Sequence, residues 1–119
     1  MTPGTMHKVC FLLRIDPARV REYLEHHENV WPEMLEALRD SGYRNYSMFV
    51  DESGLLVCYL ETEDFEATLA AMTATNIKAA WSSHVGDMFI PVDASRPVDS
   101  VVALRHAFDL DSALGRAVS

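Results

Sequence analysis

Apolar and polar positions along this chain follow two rhythms, and the changes of rhythm mark its elements. The run His7–Ile15 (HKVCFLLRI) is rich in large aliphatic and aromatic residues and predicts a strand. It closes on Asp16-Pro17, an N-cap followed by proline at the first helical position, so the strand leads directly into a helix. That helix is expected over about residues 17–41, stopping at Gly42, a residue suited to a left-handed cap. Pro32 interrupts it, because proline lacks a backbone donor and collides with the carbonyl four residues earlier, at Glu28. A kink or break is therefore expected one turn after His27. Residues 43–51 (YRNYSMFVD) and Leu55–Thr62 (LLVCYLET) read as two strands, and Glu52-Ser53-Gly54 between them predicts a hairpin. Asp64 caps a helical segment over 65–72, and a second over 76–89 carries Ile77, Trp81, His84, Val85 and Met88 on one side. Residues 91–100 predict a proline-containing loop, 101–110 (VVALRHAFDL) a final strand, and 111–119 a polar tail.

The order β-α-β-β-α-β is that of an α+β, ferredoxin-like fold, a four-stranded antiparallel sheet with helices on one face. A half-exposed antiparallel sheet should alternate apolar and polar residues. The first and third strands do not: Val9, Cys10, Phe11, Leu12 and Leu13, and again Leu55, Leu56, Val57 and Cys58, are apolar at both parities. Both sheet faces then need cover, and the chain has helices for only one. The expectation is a homodimer packed sheet to sheet, a dimeric α+β barrel. A single domain over residues 1–119 is expected, with a core at about 7–110 and tails at 1–6 and 111–119.

Composition narrows the function classes. Eighteen acidic against ten basic residues give a net charge of −8, so a phosphate backbone is repelled and no basic cluster offsets this; nucleic acid is not an expected partner. The first residues lack a basic start and an apolar stretch of signal-peptide type, and no apolar run is long enough to span a bilayer; a cytoplasmic location without membrane contact is expected. Cys10 and Cys58 lie in apolar strands without CxxC spacing and read as inert core thiols.

The chemistry-bearing residues concentrate on the first helix. Tyr23, His27 and Trp31 are spaced by four and share a face, which continues through Met34, Leu35 and Leu38. An imidazole on an apolar face is either a core histidine satisfied by its neighbours or a proton-transfer group whose pKa burial depresses. Trp81 is either core packing or a stacking platform for the C–H face of a sugar, and Tyr46 is in phase with Met48 and Val50 on one side of its strand. Adjacent histidines at 26 and 27 diverge by about 100° on a helix, and no third ligand has suitable spacing, so no metal is expected. Phosphate-loop, dinucleotide and Gly-x-Ser-x-Gly patterns are absent, and no cofactor is expected.

The motif Tyr23-x-x-x-His27-x-x-x-Trp31-Pro32-Glu33, followed by Gly42-x-x-Asn45-Tyr46 and by Trp81, resembles the L-rhamnose mutarotase family over about residues 7–110. The resemblance implies a ferredoxin-like dimer that interconverts the α and β anomers of a free sugar without a cofactor. It implies that His27 is the proton donor and that Tyr23, Tyr46 and Trp81 contact the sugar; for the ring opening itself, Tyr23 or a water is the expected catalytic proton acceptor. Trp81 corresponds to the second of two adjacent tryptophans and Ala80 to the first, so part of the aromatic wall is absent and the sugar is L-rhamnose or a related deoxysugar such as L-fucose. Two other classes share the architecture: small monooxygenases acting on aromatic or polyketide substrates, and a non-catalytic sugar-binding dimer.

Overall fold

The computed structural model describes residues 5–97 and 101–118; the start of the N-terminal tail, residues 98–100 of the proline-containing loop and residue 119 lie outside this range. Strand β1 (His7–Ile15) runs through the centre of an antiparallel sheet. Along one side it pairs with β3 (Leu55–Thr62), in a register running from His7 opposite Thr62 to Arg14 opposite Leu55. Strand β2 (Arg44–Val50) forms the outer edge beyond β3. The hairpin between β2 and β3 is held by the Asp51 carboxylate, which accepts from the amides of Ser53 at 2.9 Å and Leu55 at 3.1 Å.

The first helical region is divided, as Pro32 requires. After a 3-10 turn at Pro17–Arg19, α1 covers Val20–Glu28, and α2 begins at Pro32 and runs to Ser41. Proline occupies the first turn of α2, where its missing donor is harmless. The break turns α2 relative to α1, so the single stripe expected across both does not persist: Leu35 is 52% exposed, whereas Met34 is buried. Gly42 ends α2 at φ 112°, and its amide donates to the Arg39 carbonyl at 3.1 Å. Helices α3 (Phe65–Thr73) and α4 (Asn76–Val85) follow β3, capped by Asp64 and Thr75 respectively.

Three expectations for the second half of the chain require correction. The helix over 76–89 ends at Val85; Gly86–Met88 forms a 3-10 turn, and Phe89–Ile90 becomes strand β4, paired with Arg14 and Ile15. The 3-10 turn buries Met88 completely, and its carbonyl accepts from the Asp16 amide at 2.8 Å. The final strand is shorter than expected: β5 is Val102–Leu104, and residues 105–109 leave the ladder. Asp109 caps a helix, α5 (Leu110–Val118), where only a polar tail is expected, accepting from the Ser112 amide at 2.9 Å. The fourth position of the sheet is thus shared by two short strands, β4 and β5, both on the side of β1 opposite β3.

The residue types of β3 hide an alternation that burial reveals. Leu56, Cys58, Leu60 and Thr62 are at most 1% exposed and face the helices, while Leu55, Val57, Tyr59 and Glu61 are half-buried on the outer face. Cys10 lies opposite Tyr59, and Cys58 opposite Phe11, so the two thiols point to opposite faces and cannot form a disulfide. Burial pushes the Cys58 thiol up to about 12, the protonated state of an inert core thiol.

Candidate active site

Between the inner sheet face and the helices lies a cavity of about 960 Å³. Tyr23 and His27 of α1, Tyr46 of β2 and Trp81 of α4 all line it. Of the residues the sequence nominates for the site, Ala80 alone does not: it is solvent-exposed and outside the lining, whereas its neighbour on the other side of Trp81, Ser82, is part of the wall. With Trp81 turned inward and 5% exposed, the residue before it on α4 points to solvent. The small residue beside the tryptophan that bears on the ligand space is therefore Ser82.

His27 is held in a defined orientation. Its Nδ1 lies 2.9 Å from the backbone carbonyl oxygen of Tyr23, one turn earlier on α1. A carbonyl only accepts, so Nδ1 carries the hydrogen and Nε2 of the neutral ring is left with its lone pair. The imidazole packs against the Tyr23 ring at 4.2 Å between centroids and meets Trp81 edge-on at 5.5 Å. Burial lowers the His27 pKa below its ordinary 6.5, the Tyr23 carbonyl partly opposes this by favouring the protonated ring, and the neighbouring His26 lowers it further. The neutral imidazole therefore predominates near neutral pH.

The tyrosines are hydrogen-bond donors rather than bases. Tyr23 is 4% exposed, yet its hydroxyl bonds no protein group among the described residues and belongs to a side chain lining the cavity. Burial pushes its phenol far above the usual range, and the same cause raises Tyr43 and Tyr46. Among the described residues the Tyr46 hydroxyl hydrogen-bonds only to sulfur, Met48 Sδ at 3.3 Å and the Cys58 thiol, both weak partners that a ligand hydroxyl outcompetes. A local irregularity aims this residue: the β2–β3 register shifts between Arg44 and Ser47, and Asn45 adopts φ 49°, in the left-handed region that asparagine tolerates.

Behind these groups stands an aromatic wall. Trp31, the residue just before α2, meets Trp81 edge-on at 5.0 Å and lies 5.4 Å from the His84 ring. Trp31 does not line the cavity; it braces Trp81 from behind. His26 and His84 form a second contact between α1 and α4, at 4.4 Å. Among the cavity residues that sequence reasoning missed are Tyr43, Ser82 and Lys78. The available signal for Lys78 was its position three residues before Trp81, which puts it on the same face of α4.

Fold and cavity together define a ferredoxin-like α+β protein whose site combines one pinned imidazole with phenol donors and a tryptophan platform. The family model for L-rhamnose mutarotase matches residues 8–110, and the chain belongs to that family. A protein of Listeria monocytogenes named L-rhamnose mutarotase is 36% identical over 100 residues, covering 83% of this chain and 91% of the relative. Its counterpart of that name in Pectobacterium atrosepticum is 33% identical over 107 residues, 89% of this chain and all of the relative. Among solved structures, an L-rhamnose mutarotase from Formosa agariphila superposes with a TM-score of 0.69 at 21% identity, covering 87% of this chain and 98% of that one. A Nitrosomonas europaea protein described as a candidate antibiotic biosynthesis monooxygenase superposes at 0.57 with 14% identity over 91% of this chain and 96% of that one, a likeness of fold alone.

Proposed function

We propose that this protein is a sugar mutarotase, an isomerase that interconverts the α and β anomers of L-rhamnose or a related deoxysugar. The observation that carries the reading is the His27 imidazole, pinned through Nδ1 to the Tyr23 carbonyl, lining the cavity beside Trp81 and left with an Nε2 that has no partner among the described residues. Membership in the family and the names of the relatives agree with it.

Mutarotation needs a proton removed from the anomeric hydroxyl and a proton delivered to the ring oxygen. Both oxygens are attached to the same carbon, so one imidazole edge serves both. Neutral His27 takes the anomeric proton on Nε2; the C1–O bond to the ring oxygen breaks as the carbonyl forms, and the imidazolium gives its proton to the departing oxygen. Rotation about the C1–C2 bond and the same steps in reverse close the ring on the opposite face. In this scheme His27 donates to the ring oxygen, as the resemblance implies, and is its own proton acceptor. Tyr23 keeps its proton and, with Tyr46, holds sugar hydroxyls by hydrogen bonds, while Trp81 packs on a C–H face. No cofactor or metal takes part in the scheme.

The functional unit we propose is a cytoplasmic homodimer. Leu12, Val57, Val102 and Leu104 share the sheet face that no helix covers, together with Phe49, which lies opposite Val57 and is 65% exposed. A second copy is the partner that covers such a face best, sheet against sheet. The test of the activity is NMR saturation transfer between the two anomeric protons of L-rhamnose. Exchange faster with the protein than without it, and lost in the His27→Ala variant, supports the reading; no acceleration with L-rhamnose, L-fucose or another monosaccharide overturns it.

A further inference from the structure

One charged group in the cavity has no part in this scheme. Lys78 lies on the inward side of α4, one turn before Trp81 and seven residues before the buried Val85. Among the described residues its ammonium has no ion-pair or hydrogen-bond partner. The chain has 18 carboxylate side chains and a net charge of −8, yet among the described residues no carboxylate lines the cavity, and Lys78 is the one lysine or arginine that does. An acidic protein has thus placed a cation in the wall of its ligand space with no counter-charge among the described residues. A partly buried ammonium without a partner is costly unless a ligand supplies the missing charge.

We propose that Lys78 forms an anion-accepting subsite, so that the cavity takes a free sugar bearing a carboxylate or phosphate group in addition to the neutral deoxysugar. The inference rests on the mutarotase reading and extends its substrate class. Ser82, one turn after Lys78 on α4, lines the same wall and leaves room there that a large side chain would fill. Burial lowers the Lys78 pKa, as expected for an ammonium that lacks its counter-ion, and a bound anion reverses that direction.

The experiment compares D-galactose, D-galacturonate and D-galactose 6-phosphate, which share a ring and differ only at C6, with L-rhamnose as the reference sugar. Saturation transfer yields kcat/KM for each, and calorimetry yields binding. A charge-assisted hydrogen bond in a partly dehydrated site corresponds to roughly a tenfold or greater preference. We expect galacturonate, galactose 6-phosphate or both to be preferred over galactose by that factor. In Lys78→Met the preference disappears through KM, with kcat for the anionic sugar changed less than about threefold; Lys78→Arg retains part of it. The two anionic sugars show which group the subsite prefers. Equal values for galactose and both anionic sugars in the unmodified protein, or a preference that survives in Lys78→Met, overturn the proposal. If L-rhamnose exchange is accelerated and no anion preference exists, the subsite fails and the mutarotase reading stands. If no sugar exchanges faster, that reading fails, and calorimetry with galacturonate and Lys78→Met still decides the subsite.

Discussion

The imidazole of His27 is hydrogen-bonded through Nδ1 to the backbone carbonyl of Tyr23, at 2.9 Å, on the last full turn of α1 before the chain breaks. The same residue pair also stacks ring on ring at 4.2 Å. One contact selects the tautomer and the other restrains the ring, so the side chain lines the cavity with its Nε2 lone pair unpartnered among the described residues. Such preorganisation is what a proton-transfer group requires.

Replacing His27 by alanine is expected to lower anomer exchange by about 10² to 10⁴-fold, the usual contribution of a positioned acid–base group. The side chain is only half-buried, so the variant should fold. Saturation transfer measures the loss and circular dichroism the fold; full exchange in a folded variant rules out the assignment.

The pH profile follows from the direction of the His27 shift. Burial lowers its pKa below 6.5, so the neutral, proton-accepting form persists to more acidic pH than for a free imidazole. kcat/KM should be flat near neutrality and fall only below pH 6.5, following protonation of the free enzyme. A profile that rises as pH drops through that range means that the imidazolium is the starting form.

Tyr23→Phe separates binding from stability. The hydroxyl has no protein partner among the described residues, so its removal should shift the melting temperature little while raising KM, by about tenfold for a lost hydrogen bond to substrate. An unchanged KM removes Tyr23 from the sugar site.

Gly42 should resist substitution on steric grounds. It holds φ 112°, and an added Cβ would lie 2.7 Å from Thr68 Oγ1, which itself shares a 2.7 Å hydrogen bond with Thr62. Gly42→Ala is expected to destabilise by about 1–3 kcal/mol in urea unfolding, from backbone strain together with the displaced threonine.

The proposed dimer can be tested at Phe49, an exposed apolar residue of the uncovered sheet face. Phe49→Glu places a carboxylate on the outer sheet face without disturbing the core and should give a monomer by light scattering. A monomer already in the unmodified protein counts against the sheet-to-sheet arrangement.

Much of the fold was legible because local signals agreed with it. β1 and β3 have the bounds that their residue types predict, and the Asp16-Pro17 start, the Pro32 break and the Gly42 stop are each local steric or hydrogen-bonding facts. β4 was not legible, since two residues carry no periodicity and Phe89–Ile90 is a strand only because the end of β1 offers an unpaired edge. α5 was hidden in the same way, its capping Asp109 lying within a run that reads as strand.

The site divides along similar lines. Spacing alone put Tyr23 and His27 on one helical face, because positions four apart share a face in any α-helix. That His27 uses Nδ1 for the Tyr23 carbonyl, that Tyr46 is turned inward by an irregular β2, that Ser82 and not Ala80 lines the wall, and that Lys78 stands there with no counter-charge among the described residues are tertiary facts. They depend on how helices pack over a sheet and on which charges the fold leaves outside the cavity. A sequence records the period of each element but not the angle at which that element meets the next.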